Sequence, residues 1–217
     1  MKNFHSEDKI EAGVDEAGRG PGLGRVYTAA VIWPKHLDHP CPLVRDSKTI
    51  SKNQMKSAYD FVIANAIAYN VDYATEEEIE SGILKANILS MHRAIAGLNI
   101  TPQHLLIDGN YFEDYPDIPA TTVIKGDSTY YSIAAASILA KYTRDTYIDD
   151  LCNDYPELDT RYGIRSNKGY LSEGHTIGLN THGYCQFHRR TWKTFQNLPF
   201  NPIMKKEKIK PVIKKKV

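Results

Sequence analysis

Four acidic positions stand where a folded chain could bring them together. Asp15 and Glu16 end a predicted strand just before a glycine-rich turn. Asp108 ends a second strand and is followed by Gly109, while Asp127 follows a third and precedes a long helix. The carboxyl ends of strands are where open α/β sheets place their sites. Converging carboxylates repel one another, and their ionised forms persist together only with positive charge between them, which a divalent cation supplies. Oxygen ligands without a His or Cys pattern suit Mg²⁺ or Mn²⁺ rather than zinc. The same acids could also be water-facing loop residues, and spacing alone does not decide between the two.

Asp15 and Glu16 are sequence neighbours, so in a regular strand they point to opposite faces. Both serve one site only if the strand ends or twists there, and Gly18, Gly20, Gly22 and Gly24 give the backbone that freedom. The turn is not a phosphate-binding Walker loop, because Gly13-Val-Asp-Glu-Ala-Gly18 continues as Arg-Gly instead of Lys-Ser/Thr, and it holds no GxGxxG. Arg45-Asp-Ser-Lys48, Lys168 and Arg189-Arg190 supply cations and hydroxyls suited to phosphate oxygens. Tyr170, beside Gly169, can stack on a sugar or base or donate to a hydroxyl. His175, His182 and His188 are spaced seven and six apart, which fits loosely related helix faces and not a metal site.

The elements that must position these groups are legible in the periodicity. Residues 10–14 and 26–33 read as two strands joined by a turn, followed by short strands at 71–74, 104–107 and 121–124. A helix is expected from Ser51, with Gln54 completing a capping box. A second starts at Glu76 and runs to about Gly97, and a long one spans residues 131–152 with the small-residue face Ala134-Ala135-Ala136. Strands alternate with helices only after the opening hairpin, which predicts a mixed sheet, antiparallel first and then parallel, with helices on its faces.

Composition sets limits. The 217 residues suit one large domain, here 1–203 with a helical portion from about 156, and no apolar run approaches the ~20 residues of a membrane span. The first ten residues hold no apolar stretch, so no secretory signal is expected. Three scattered cysteines argue for a reducing, cytoplasmic setting. Seven lysines and one glutamate follow Met204, leaving the rest with 20 basic and 25 acidic residues. Residues 204–217 therefore read as a basic, disordered tail on a mildly acidic body, which does not hold nucleic acid by bulk charge alone.

Gly13-Val-Asp-Glu-Ala-Gly-Arg-Gly-Pro-Gly-Leu-Gly-Arg-Val26 resembles the opening signature of the type 2 ribonucleases H, or ribonuclease HII. Asp46-Ser-Lys48, Ile107-Asp-Gly109, Lys125-Gly-Asp127, residues 133–141 with Arg144-Asp145, Lys168-Gly-Tyr170 with His175, and His188-Arg-Arg190 resemble its later motifs in order. The resemblance implies an α/β, ribonuclease-H-like fold: a mixed five-stranded sheet flanked by helices, with a C-terminal helical portion. It implies Asp15, Glu16, Asp108 and Asp127 as catalytic, metal-binding acids for Mg²⁺ or Mn²⁺. It implies Gly18, Arg19, Gly20 and Tyr170 as readers of a ribose 2′-hydroxyl, Lys48 and Ser172 as phosphate holders, and Asp145 as an ion-pair partner. The implied activity is two-metal-ion cleavage of RNA in RNA–DNA hybrids and at single ribonucleotides in duplex DNA, by a monomer without a membrane partner, leaving 3′-hydroxyl and 5′-phosphate ends. A hybrid-binding protein without catalysis is the alternative. The related type 3 enzymes usually carry an extra N-terminal domain, for which about nine residues before the first strand leave no room. Arg25 stands where the family usually has Pro, adding a charge near the expected site.

Overall fold

The computed structural model describes residues 1–36, 43–44, 47 and 50–206. Asp46 and Lys48, the acid and base of the Asp-Ser-Lys motif, and the tail beyond Lys206 lie outside these residues. Strands β1 (Glu11–Ala17), β2 (Val26–Ile32), β3 (Ala68–Ala74), β4 (His104–Asp108) and β5 (Ala120–Val123) form one sheet in the order β3-β2-β1-β4-β5. β1 pairs antiparallel with β2 and β2 with β3, whereas β1–β4 and β4–β5 are parallel, as the sequence pattern predicts. β1 is longer than expected: Asp15 and Glu16 lie inside it, held by pairing of Asp15 with Ala29 and Glu16 with Thr28.

Helices cover both faces. Alternate residues of β2 go opposite ways: Ala29 and Val31 pack with α1 (Lys52–Asn65) and α4 (Tyr131–Asp154), while Ala30 and Ile32 pack with α3 (Ile83–Ala96). α4 lies close to the sheet because β1 carries Gly13 beneath it. A Cβ at Gly13 would overlap the backbone of Ser132 and Ile133. The small residues Ala134, Ala135 and Ala136 continue that close packing, and every residue of α4 from Ser132 to Ala140 is buried.

Two helix expectations change. Ser51 does precede α1, but its hydroxyl bonds the Gln54 side chain and not the helix backbone, so no capping box forms there. The expected helix from Glu76 to Gly97 breaks into α2 (Glu76–Glu80) and α3, because Gly82 adopts φ 127°, a conformation open mainly to glycine. The capping box sits instead at Thr75 and Glu78, which satisfy each other's backbone N–H groups.

After α4 come α5 (Glu157–Tyr162), α6 (Ile164–Asn167) and α7 (Glu173–His182). They enclose a core of Ile148, Leu158, Tyr162, Ile164, Leu179 and Phe195 that also takes in Leu23 from the glycine-rich turn. That shared residue joins the C-terminal helices to the start of the chain. Cys152 and Cys185 are free and buried, and among the described residues no helix is long and apolar enough to cross a membrane.

Candidate active site

A cleft of about 600 Å³ opens at the carboxyl ends of β1 and β4. Val14 pairs with Ile107 across these parallel strands, so Asp15 and Asp108 follow side by side. Asp15, Glu16 and Asp108 all line the cleft. Asp15 is 5 % exposed, and burial, with the Glu16 and Asp108 charges beside it, holds its carboxyl well above the usual carboxylate range. Two hydrogen bonds oppose that push: the Glu16 N–H donates to Asp15 Oδ1 at 2.7 Å, and Ser137 of α4 bonds the same side chain. Ser137 Oγ lies 2.9 Å from Ser47 Oγ, which ties the Asp-Ser-Lys loop to the acids.

Glu16 pairs with Arg19 at 3.1 Å. Asp108 Oδ1 accepts the Gly126 N–H at 2.7 Å. Asp127 sits in the 3₁₀ turn Gly126–Ser128, 4 % exposed, and does not line the cleft. Three of the four expected acids are therefore brought together, and the fourth is connected to them through the turn that grips Asp108.

The turn Gly18-Arg19-Gly20 and Lys168 and Tyr170 line the same cleft. Gly18 has φ 98°, and a Cβ there would run into the Arg144 side chain. Tyr170 is 53 % exposed, its Cε1 3.4 Å from the point where a Gly20 Cβ would stand. Ser172 lies outside the lining: exposed, it caps α7 by accepting the His175 N–H. Arg25 also points elsewhere, pairing with Glu76 at 3.3 Å between the rings of Tyr73 and Tyr147.

Ser137, Lys141, Arg144 and Asp145 line the cleft from α4. Their spacing of three and four residues is that of one helix face, a signal present in the sequence. Lys141 pairs with Asp145 at 2.9 Å, in keeping with the ion-pair role expected of that acid. Arg144, 3 % exposed, donates to the Lys168 carbonyl at 2.6 Å, and its Nε has no hydrogen-bond partner. That Nε is buried against Gly18, so the guanidinium supports the turn from inside instead of reaching into the cleft.

Among the described residues, no three His, Cys, Asp or Glu side chains close into a ready-made metal cage. The donor chemistry still fits a hard divalent cation: oxygen-only ligands on neighbouring strands, with a buried carboxyl destabilised by its acidic neighbours.

A family model described as ribonuclease HII matches residues 12–195. The chain belongs to this family. Ribonucleases HII are metal-dependent hydrolases acting on the RNA of RNA–DNA hybrids. The chain is 49 % identical over 190 residues to ribonuclease HII of Phocaeicola vulgatus, covering 87 % of this chain and 92 % of that protein. Its fold is similar to the crystal structure of ribonuclease H2 from Pyrococcus horikoshii, with TM-score 0.69, 26 % identity and coverage of 86 % and 95 %. Bst-RNase HIII, solved in complex with Mn²⁺, shares the fold at TM-score 0.61 and 17 % identity, with coverage of 86 % and 68 %. The ribonuclease HII motifs at both ends of the chain thus meet in one cleft, lined by three of the acids, the Gly-Arg-Gly turn and Tyr170.

Proposed function

We propose that this ribonuclease HII cuts the RNA strand of hybrids and also cleaves at a single ribonucleotide in duplex DNA, leaving 3′-hydroxyl and 5′-phosphate ends. The observation that carries this reading is that Asp15, Glu16 and Asp108 line one cleft together with Gly18-Arg19-Gly20 and Tyr170. Asp15, Glu16 and Asp108 would hold Mg²⁺ or Mn²⁺, with Asp127, on the turn that binds Asp108, completing the set of acids. Two such cations, when bound, supply an activated water and neutralise charge on the leaving oxygen. The chain's own groups orient the substrate. Backbone groups of the Gly-Arg-Gly turn and the Tyr170 hydroxyl meet the ribose 2′-hydroxyl, and the Tyr170 ring packs on the following sugar. Lys141 and Lys168 draw the phosphates toward the acids, and the buried Arg144 holds the Lys168 backbone in place. Because DNA lacks the 2′-hydroxyl, its scissile phosphate is left misaligned, which costs catalysis more than binding.

The test uses three duplexes: one with an all-RNA strand, one with a single ribonucleotide and one of DNA only. Tyr170→Ala should lose most single-ribonucleotide cleavage while keeping most duplex affinity, and Tyr170→Phe should lose less. Equal cleavage of the single-ribonucleotide duplex by wild type and Tyr170→Ala would refute the recognition role.

A further inference from the structure

Behind Tyr170 lies a hydrogen-bonded chain that none of the cleft chemistry uses. His175 Nδ1 is 2.9 Å from the Tyr170 carbonyl oxygen, and His175 Nε2 is 3.0 Å from His188 Nε2. His188 Nδ1 in turn accepts the Cys185 main-chain N–H at 3.0 Å. Both rings are buried, at 0 % and 3 % exposure. No carboxylate hydrogen-bonds to either ring among the described residues.

The two fixed ends settle where the protons are. The Cys185 N–H can only donate, so His188 Nδ1 is bare and its proton is on Nε2. That proton points at His175 Nε2, which must accept. His175 therefore carries its proton on Nδ1 and donates it to the Tyr170 carbonyl. Every donor meets an acceptor only in this one arrangement, with both rings neutral. Burial favours the same state: it lowers the His175 pKa, and for His188 burial together with the neighbouring His175 lowers it to about 3.

The same segment also reaches the Gly-Arg-Gly turn. The buried Arg189 donates to the carbonyls of Gly18 at 2.5 Å, Arg19 at 2.8 Å and Gly24 at 2.9 Å, and its N–H bonds Gly22 O at 3.0 Å. The Gly22 N–H closes the circuit on the Gly169 carbonyl at 2.9 Å.

We propose that residues 185–189 are a brace that sets the spacing between the Gly-Arg-Gly turn and Tyr170, and that His175 is a positioning residue acting on the ribonucleotide only through Tyr170. The proposal rests on the recognition role given to Tyr170 above. His175 touches no substrate; it fixes the backbone that carries the phenol. Asparagine can place an N–H where His Nδ1 stands, whereas glutamine reaches the Nε2 position and gives up the donor to Tyr170.

A double-mutant cycle tests this, with kcat and KM on the single-ribonucleotide duplex and thermal melting of every variant. His175→Gln should lower kcat about ten- to a hundredfold, the scale of a misplacement near 1 Å, with KM little changed. His175→Asn should recover most of that loss. In the Tyr170→Ala background, His175→Gln should cost almost nothing further. The same factor lost in both backgrounds would overturn the proposal while leaving the recognition reading intact. Tyr170→Ala cleaving like wild type would instead overturn that reading and the proposal together. Imidazole ¹⁵N spectra of the unaltered protein give a check free of folding effects: His188 should carry its proton on Nε2 and His175 on Nδ1. A proton on His175 Nε2 would overturn the proposal outright.

Discussion

Gly126 donates its N–H to Oδ1 of Asp108 at 2.7 Å, so one oxygen of the β4 acid is anchored on the turn that carries Asp127. An asparagine at position 108 can accept the same N–H through its carbonyl, which turns its NH₂ toward the cleft as a donor where an acceptor stood. Asp108→Asn should therefore keep the fold and lose at least about a hundredfold in Mg²⁺-dependent turnover, the scale of losing a principal electrostatic group. Its melting temperature without divalent cation should rise, because one of the charges crowding Asp15 is gone. Near-normal turnover would remove Asp108 from the catalytic set.

Gly13 permits a close approach between β1 and α4. Alanine there has no flexible side chain to push aside, only the backbone of Ser132 and Ile133. Gly13→Ala should destabilise the protein by about 3 kcal/mol, the upper part of the overpacking range. Activity should fall with stability, because α4 also brings Ser137, Lys141 and Arg144 to the cleft. Urea unfolding with an unchanged midpoint would show that α4 can move out at no cost.

The histidine pair predicts an acid-sensitive fold. His188 and His175 are neutral when folded, with pKa values pushed below the ordinary value of about 6.5. The unfolded chain binds their protons first as pH falls, so their contribution is intact above about pH 6.5 and is lost progressively toward about pH 3. The loss should amount to a few kcal/mol. Asp15 works the opposite way, since its raised pKa makes the folded state take up a proton. Urea midpoints measured from pH 8 to pH 4 in Asp15→Asn, with and without His188→Gln, separate the pair from His104 and Glu78, whose pKa values are also lowered, and an unchanged pH dependence on removing His188 would contradict it.

The lysine-rich tail should act through charge alone. Lys205 pairs with Asp154 at 2.7 Å, and six further lysines follow in the sequence. Truncation after Met204 should weaken duplex binding at low salt and reduce the salt slope by about 0.9 for each phosphate that the tail neutralises. Identical affinity and slope in the truncated protein would restrict the tail to solubility.

Much of the site was legible because strand-end acids, glycine turns and helix faces leave periodic traces. That the pairing runs on past the strand-end acids to Ala17 was not, since it is set by the partner strand through Thr28 and Tyr27. Gly82 gave no warning of the break between α2 and α3, because the apolar spacing runs straight through it. Asp127 could be recognised as part of a motif, but its burial in the 3₁₀ turn follows a left-handed residue at Lys125, φ 55°, which no local rule assigns to lysine. His175 and His188 lie on separate elements, and their pairing comes from tertiary packing that no spacing encodes. Arg189 could be read as a cation for phosphate, yet it is buried and spends its donors on backbone carbonyls.

The cleft draws on positions 15 to 170, and its Gly-Arg-Gly turn is secured by Arg189. On a translating ribosome this separation becomes a delay. At about 5–20 residues per second, on the order of ten to thirty seconds pass between the emergence of Asp15 and that of Arg189. Through that interval the nascent chain carries its first acids without the turn's anchor or Tyr170. The cleft is therefore complete only when synthesis is nearly finished.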